Sequence, residues 1–355
     1  MGSAISPYTQ DKRLMRLATP LGQNTLIPLS IEGEEAMSRP GWFTLRVMSE
    51  QHDLEPKSLV GQAVTFAIVQ EDNSLRYFNG RVTQFASTGR THGGQQSTYE
   101  LRVEPWLHML DKGSDCRIFQ EQTVPDVLKK VFAPLGNVAS FTFDLKHPHE
   151  PHRYLTQFNE TNSNFVHRLL DLDGIGYIIE HDNGSHTGRF FDDPASLPDL
   201  AGDSTLKLQN STASHDHLSS WTYRGKFDTG RFVQRSYSYK EPGKVLESES
   251  TSPETITELA QAPEVENYRY GEDFVSRPGG DRNTGHVKGG AIERHQFAEG
   301  HGTYRQLQPG RHFSVIQVPA GIWVNDSADF TFTRLRFTGN DRHGGGVAFS
   351  ANFEA

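Results

Sequence analysis

Apolar and polar residues alternate one for one along several stretches of the chain. In "GWFTLRVMSE" (41–50), Phe43, Leu45 and Val47 alternate with Thr44 and Arg46. In "STYELRVEP" (97–105), Tyr99, Leu101 and Val103 alternate with Thr98, Glu100, Arg102 and Glu104. A period of two predicts antiparallel strands with one buried face. "AVTFAIVQ" and "RYFNGRVTQF" predict two more strands, with "EDNS" (71–74) as the turn between them.

The period then lengthens. In "QTVPDVLKKVF", Val127, Leu128, Val131 and Phe132 form the apolar stripe of a helix. Thr123 is placed as its N-cap with Asp126 three residues on, Pro125 suits a first turn, and Pro134 and Gly136 end it. A second helix is predicted in "NETNSNFVHRLLDLDG", capped by Thr161 or Asn162 and stopped by Gly174. Its buried face is Phe165, Val166, Leu169, Leu170 and Leu172, and the strand "IGYIIEH" follows. Strands return near Trp221 with "SSWTYRGKF" and "RFVQRSYSYK". Residues 241–290 are rich in Pro, Gly, Ser and Glu and predict a loop-rich insertion, with "GHVKGG" as a turn and a weak helix after it over 291–298. Three strands, "RHFSVIQV", "DFTFTRLRF" and "GVAFSANFEA", close the chain; in the last, Val347, Phe349 and Phe353 alternate with polar or small residues. These elements describe a β-rich α+β protein.

The two ends of the chain echo each other. The first runs "GQAVTFAIV", a strand ending "QFASTGRTHGG", then an alternating strand ending "RVEP". The last runs "GRHFSVIQV", a strand ending "RFTGNDRHGGG", then an alternating strand ending "NFEA". Strand, strand, His-Gly-Gly turn and strand recur in one order, as a duplicated unit requires.

Composition narrows the class. The chain has 355 residues, room for two or three compact domains, and a formal charge of -9 that disfavours nucleic acid or an anionic membrane as partner. Cys116 is its one cysteine, so no intramolecular disulfide forms. The first thirty residues hold no continuous apolar signal-peptide core, and no apolar run reaches the roughly 20 residues of a membrane helix, so no stable membrane insertion is expected.

Candidate chemistry is thin. Asp171 and Asp173, two apart on a helix, point to different sides and cannot converge on one bond. Glu160, just ahead of the helix, suits capping electrostatics. In "HPHEPH", His147, His149 and His152 with Glu150 are dense enough for Zn²⁺ or Ni²⁺, but the prolines make a stiff extended segment that reads as a polar surface loop. "HDH" at 215–217 is a weaker cluster of the same kind. Cys116 lies beside Arg117 without the surroundings of an activated thiol. "HGGG" at 343–346 has no partner serine elbow and reads as a hairpin loop, and no phosphate-binding glycine loop is present. In "RFVQRSYSYK", Arg231, Val233, Arg235, Tyr237 and Tyr239 share one strand face, as in a single-strand binder or a protein interface. The residues therefore assign no catalytic, cofactor-binding or metal site.

An ordered series of segments resembles the N-terminal hub region of VgrG proteins, the spike of the bacterial type VI secretion system. The series is "LVGQAVTFAI", "YFNGRVTQF", "TYELRVEPWLHML", "SDCRIFQEQTVPDVLKKVF", "YLTQFNETNSNFVHRLLDLDGIGYIIEH", "SSWTYRGKF" and "QLQPGRHFSV", spanning about 41–320. "GIGYIIEH" departs from a more aromatic family text, which alters packing rather than chemistry, and Gly289 and Gly290 interrupt the expected arginine-rich helix. The resemblance implies a fold like the hub of a contractile phage tail: two related antiparallel β-barrel-like domains and an α/β middle domain. On that plan, 1–108 is the first barrel, 109–215 the middle domain, 216–245 with 305–355 the second barrel, and 246–304 a loop-rich insertion. It further implies a structural, non-enzymatic homotrimer without cofactor. That ring would seat on the hexameric Hcp tube, contact baseplate proteins, carry effector or adaptor proteins, and reach a PAAR tip only through a needle following the hub. It would assemble in the bacterial cytoplasm and leave with the apparatus, without a signal peptide. On this reading the acids and histidines of 158–181 lie on the solvated or interface side of an architectural helix–strand unit.

Overall fold

The structure is a computed structural model; it describes residues 9–11, 13–91, 93–209, 216–239, 241–271, 274, 276–324, 329–342 and 346–355. The first unit contains β1 (Met15–Ala18), β2 (Ile27–Ala36), β3 (Arg39–Ser49), β4 (Ala63–Val69), β5 (Leu75–Arg90) and β6 (Ser97–Glu104). Alternation sets its buried face: Phe43, Leu45 and Val47 from β3 meet Tyr99, Leu101 and Val103 from β6 in one core. β5 bends at register shifts near Thr83 and Thr88, so its first half pairs with β4 and its second with β6.

The middle unit contains β7 (Ser114–Gln122), α1 (Val124–Phe132), β8 (Phe141–Asp144), β9 (His152–Thr161), α2 (Asn162–Asp173), β10 (Gly176–Asp182) and β11 (Ser185–Phe191); β12 (Thr205–Lys207) follows and joins the main-sheet core through Leu206. Thr123 caps α1, accepting the Asp126 N–H at 3.3 Å. Of the two candidate caps for α2, Thr161 serves, accepting the Asn164 N–H at 3.1 Å. Gly174 ends α2 at φ 64°, where a side chain would run into the His286 ring. Val127, Leu128, Phe132, Phe165 and Leu169 are buried in a second core, whereas Leu172 is only half-buried at its rim.

The third stretch contains β13 (Leu218–Gly225), β14 (Arg231–Ser236), β15 (Leu246–Thr251), α3 (Glu254–Thr257), β16 (Glu266–Tyr270), α4 (Arg277–His295), β17 (Gln296–Gly302), β18 (His312–Ile316), β19 (Asp329–Thr331), β20 (Arg334–Arg342) and β21 (Gly346–Glu354). Several expectations need correction. Residues 246–304 are mostly regular structure, not loop. "GHVKGG" lies inside α4 rather than in a turn, Gly289 and Gly290 do not interrupt that helix, and it ends at His295 with a strand following. Packing overrides glycine's poor helix propensity. Ser276 caps α4, Ser248 donates to Asp281 at 2.6 Å, and Gly280 leaves room for Phe274, whose ring a Cβ would meet at 2.7 Å. "DFTFTRLRF" breaks at 332–333 into β19 and β20, and β14 stops at Ser236, so Tyr237 and Tyr239 leave its face.

Ten strands hydrogen-bond in one open sheet, ordered β1-β4-β5-β6-β3-β2-β20-β21-β17-β13. β12, β18 and β19 form a small sheet over its second half, and both halves share one hydrophobic core. β17 pairs with β13 and β21, so 296–302 belongs to this sheet. The two halves have matching plans. β2·β3, β3·β6 and β6·β5 in the first correspond to β13·β17, β17·β21 and β21·β20 in the second. β4 pairs with the start of β5 as β18 pairs with β19, just before β20. The echoing hairpins are thus β5–β6 and β20–β21; His92 and 343–345 of their tips lie outside the described residues.

Candidate functional site: a histidine–aspartate cleft and two strand edges

A concavity of about 770 Å³ lies between the middle unit and α4. His149, His152, Asp173, Asp192 and His286 line it, with Tyr237 and Tyr239 at its mouth. His149 Nδ1 lies 2.6 Å from Asp173 and its Nε2 3.3 Å from Asp192; His152 Nε2 is 3.7 Å from Asp173. The Asp173 hydrogen bond, opposed by burial, raises the His149 pKa, with Asp192 adding to it. Burial pushes the Asp173 carboxyl up, but hydrogen bonds and charge from His149 and His152 outweigh it and hold the group down at about 2. Asp192 is also fixed by the backbone N–H groups of Lys146 and His147, at 2.8 and 2.9 Å.

This corrects two expectations. "HPHEPH" is not simply a surface loop, because His149 and His152 are turned into the protein, and Asp173 is half-buried rather than solvated; Asp171 and His147 do face solvent. The chemistry is that of a cross-link. A His149 imidazolium donating from both nitrogens has no lone pair for a metal or a proton in transit. Among the described residues, no group of three or more His, Cys, Asp or Glu side chains is arranged to hold a metal ion.

The other candidates are engaged structurally. Glu160 pairs with Arg168, and Glu150 accepts from Ser276 at 3.0 Å. Cys116 is exposed and donates to Asn159, while the Arg117 side chain reaches Gln157 and Asn162. Tyr237 and Tyr239 are exposed, with Arg153 over the Tyr239 ring. Of "HDH", His215 lies outside the described residues, and Asp216 accepts the Arg305 N–H. Of "HGGG", residues 343–345 also lie outside them.

Sequence reasoning missed a buried polar joint between the main sheet and the middle unit. Arg76 pairs with Glu35 beneath the Phe78 ring. The Asn79 N–H donates to His181, and His186 joins Asn79 Oδ1 at 2.7 Å to the Trp106 N–H at 2.8 Å. Because His186 Nε2 accepts from an N–H, its Nδ1 carries the proton. Burial and neighbouring positive groups lower His181 to about 3 and His186 to about 4, so both are neutral. Each residue sits amid ordinary strand text, and only tertiary contact reveals the group.

The remaining site is the edge chemistry of the sheet. Where the halves meet, Ser30–Ala36 of β2 run antiparallel to Asn340–Arg334 of β20. Glu34 clamps this seam, accepting from Arg334 at 2.9 Å and Arg336 at 2.8 Å. Gly33 lets it close, since a Cβ there would meet Phe43 at 2.7 Å and Phe337 at 2.8 Å. Two corresponding edges lack such cover among the described residues. Beyond Val82, which bonds to Gly61 and Gln62, residues 83–90 of β5 pair only with β6. Along its outer side β13 has a single bridge, Leu218 to Leu208.

The sequence profile of the phage tail baseplate hub (GPD) family matches residues 34–343. The chain is 31% identical over 276 residues to the type VI secretion system spike protein VgrG1b of Pseudomonas aeruginosa, a match covering 77% of this chain and 36% of that protein. It therefore spans about a third of the length of that curated relative. In fold it is similar to an E. coli type VI secretion component described as structurally similar to bacteriophage T4 tail proteins, at a TM-score of 0.68 and 18% identity over 96% of this chain and 76% of the other. It is similar also to a tail protein of Neisseria meningitidis, at a TM-score of 0.67 and 12% identity over 98% and 97%. The chain belongs to the phage tail baseplate hub family.

Proposed function

We propose that this chain is the structural hub of a type VI secretion spike. Three copies form a ring that seats on the hexameric Hcp tube and bears the needle. The ring contacts baseplate proteins, and effector or adaptor proteins ride with it. A PAAR tip joins only through the needle. The hub assembles in the bacterial cytoplasm and is propelled outward with the apparatus. It acts by geometry and needs no cofactor.

One observation carries this reading: the two halves of the main sheet repeat one strand-pairing plan. A threefold assembly meets a sixfold tube when each chain presents two similar surfaces. On this reading the two halves, joined through β2·β20, stand for the two related β-barrel-like units of the hub. The test is cosedimentation with preformed hexameric tube protein. Retention at one ring per tube end supports the hub; no retention by an assembled ring contradicts it.

A phage tail hub is the second reading, favoured by a neighbour matched over 97% of its length. The 31% identity to a secretion spike protein favours the first. A cell-wall-active or metal-dependent effector would place its chemistry in the His149 cleft. Peptidoglycan release by the purified chain, lost in Asp173→Asn, would establish that alternative.

A further inference from the structure

Residues 231–295 leave the main sheet and return to it at one point. β13 ends at Gly225 and β17 begins at Gln296, and these two residues face each other as the last rung of their ladder. Just beyond it the Lys226 N–H donates to the His295 carbonyl at 2.7 Å, and the His295 ring joins the Lys226 carbonyl. The segment between, from β14 to α4, hangs on that two-strand stalk. We infer that this unit is a pH-gated latch: it lies closed on the middle unit while the His286 ring is neutral, and swings away about the stalk when that ring takes up a proton.

The joint that opens has no apolar core. Among the described residues, none of the buried apolar side chains of 231–295 belongs to the core of the middle unit or of the main sheet. The joint is crossed instead by polar and ring contacts. Glu150 accepts from Ser276 at 3.0 Å and lies 3.5 Å from Arg282, and the Arg153 guanidinium stands 5.0 Å from the centre of the Tyr239 ring. The His286 ring lies on Gly174, where a Cβ would come within 2.3 Å of Nδ1. A unit joined through polar contacts and hinged at element ends is built to move as a body.

His286 is the ring placed to sense protons. Asp173 from the end of α2, Asp192 just beyond β11, His149 from the 147–151 segment and Arg282 one turn earlier in α4 act on it. The His149 imidazolium and the Arg282 guanidinium balance the two carboxylates, so a second imidazolium finds no net counter-charge. The other cleft groups that carry charge near neutral pH are His147, His152, Arg153, Glu121, Glu150 and Glu241. Of these, His152 is drawn to Asp173, and Glu150 to Ser276 and Arg282. Burial first of all, with His149 and Arg282 adding to it, holds the His286 pKa below its ordinary value against the pull of Asp173 and Asp192.

Swung out into water, the ring regains a value of about 6.5. The closed form therefore binds fewer protons than the open one. Closure is fully favoured above about pH 6.5 and weakens as pH falls through that value toward the lowered one. One proton changes the open-to-closed ratio by at most about tenfold per pH unit. His149 does not reverse this, because its partners Asp173 and Asp192 lie with it on the middle unit and stay paired in both positions. Acid thus uncovers the walls of the cleft while both large cores stay intact.

The test is a distance between the two units in the full chain carrying Cys116→Ser. Spin labels enter through Asn137→Cys on the middle unit and Glu247→Cys on β15, both exposed positions, and the labelled chain is diluted into unlabelled chain. From about pH 8 to about pH 5, double electron–electron resonance is expected to show one distance giving way to a longer one, with near-ultraviolet circular dichroism unchanged. His286→Gln should keep the short distance throughout, and His286→Arg should show the longer one already at about pH 8. A single distance at every pH overturns the latch. So does an unaltered acid response in His286→Gln, or a loss of the near-ultraviolet signal in step with the distance change, which marks unfolding instead.

Discussion

The two halves of the main sheet share a strand plan but solve one packing problem in opposite ways. In the first, glycine lies on the inner strand of the seam and the aromatic opposite it, Gly33 facing Phe43. In the second the partners are exchanged, with Trp221 facing Gly300, where a Cβ would strike the Phe353 ring. Each pair supplies one large ring and one vacancy, so core volume is preserved while sequence identity is not. The difference that matters lies at the edges. β20 carries β2, a charged clamp and a tight glycine contact; the second half of β5 has no strand on the edge away from β6 among the described residues. A duplicated fold is here asymmetric at one edge among the described residues.

The largest expected effect comes from the joint beneath the closed seam. Arg76→Ala leaves Glu35 buried without its cationic partner, and removing one partner of a buried ion pair costs about 3–5 kcal/mol, to be read from urea unfolding. Acid should act on the same joint. His181 and His186 are neutral when folded, with pKa values near 3 and 4, whereas the unfolded chain takes up their protons below about 6.5. Their stability contribution is complete above about pH 6.5 and declines as pH falls toward 4, by about 1.4 kcal/mol per unit for each histidine. His149, raised by Asp173, acts oppositely: its contribution is complete below about 6.5 and is lost as pH rises through its raised value. Stability that rises steadily as pH drops from 6.5 to 4 would contradict the buried, neutral assignment.

Gly33→Val should overpack the closed seam by about 1–3 kcal/mol, whereas Ser87→Val on the open edge should leave the unfolding midpoint of the isolated chain nearly unchanged. Glu34→Gln weakens the clamp by about 1 kcal/mol. Burial raises the Glu34 pKa, but Arg336 and Arg334 hold it below the ordinary carboxylate value, so the clamp's contribution is present at neutral pH and is lost as pH falls through that lowered value. The smallest effect, within about 0.5 kcal/mol, is expected for exposed Asp171→Asn in thermal unfolding.

Much of this was legible in the sequence. Alternation located β3 and β6, and capping residues located α1 and α2, because local chemistry decides those elements. The hairpin echo pointed to the duplication later visible in the strand ladders. α4 was illegible because its glycines argue against a helix and the contacts that hold it come from β14, β15 and Phe274. The His149 cluster was misread for a related reason: Asp192 lies more than forty residues away, and only the fold brings it to the imidazole. The open edges have no local signal, since an edge strand and a central strand carry the same alternation.

The most direct test is the absolute mass of the chain in solution, by light scattering across a dilution series. The hub reading predicts a species near three times 39.8 kDa that dissociates to single chains without a stable dimer. A closed two-chain species, or a single chain at every concentration, would contradict the proposed trimeric hub.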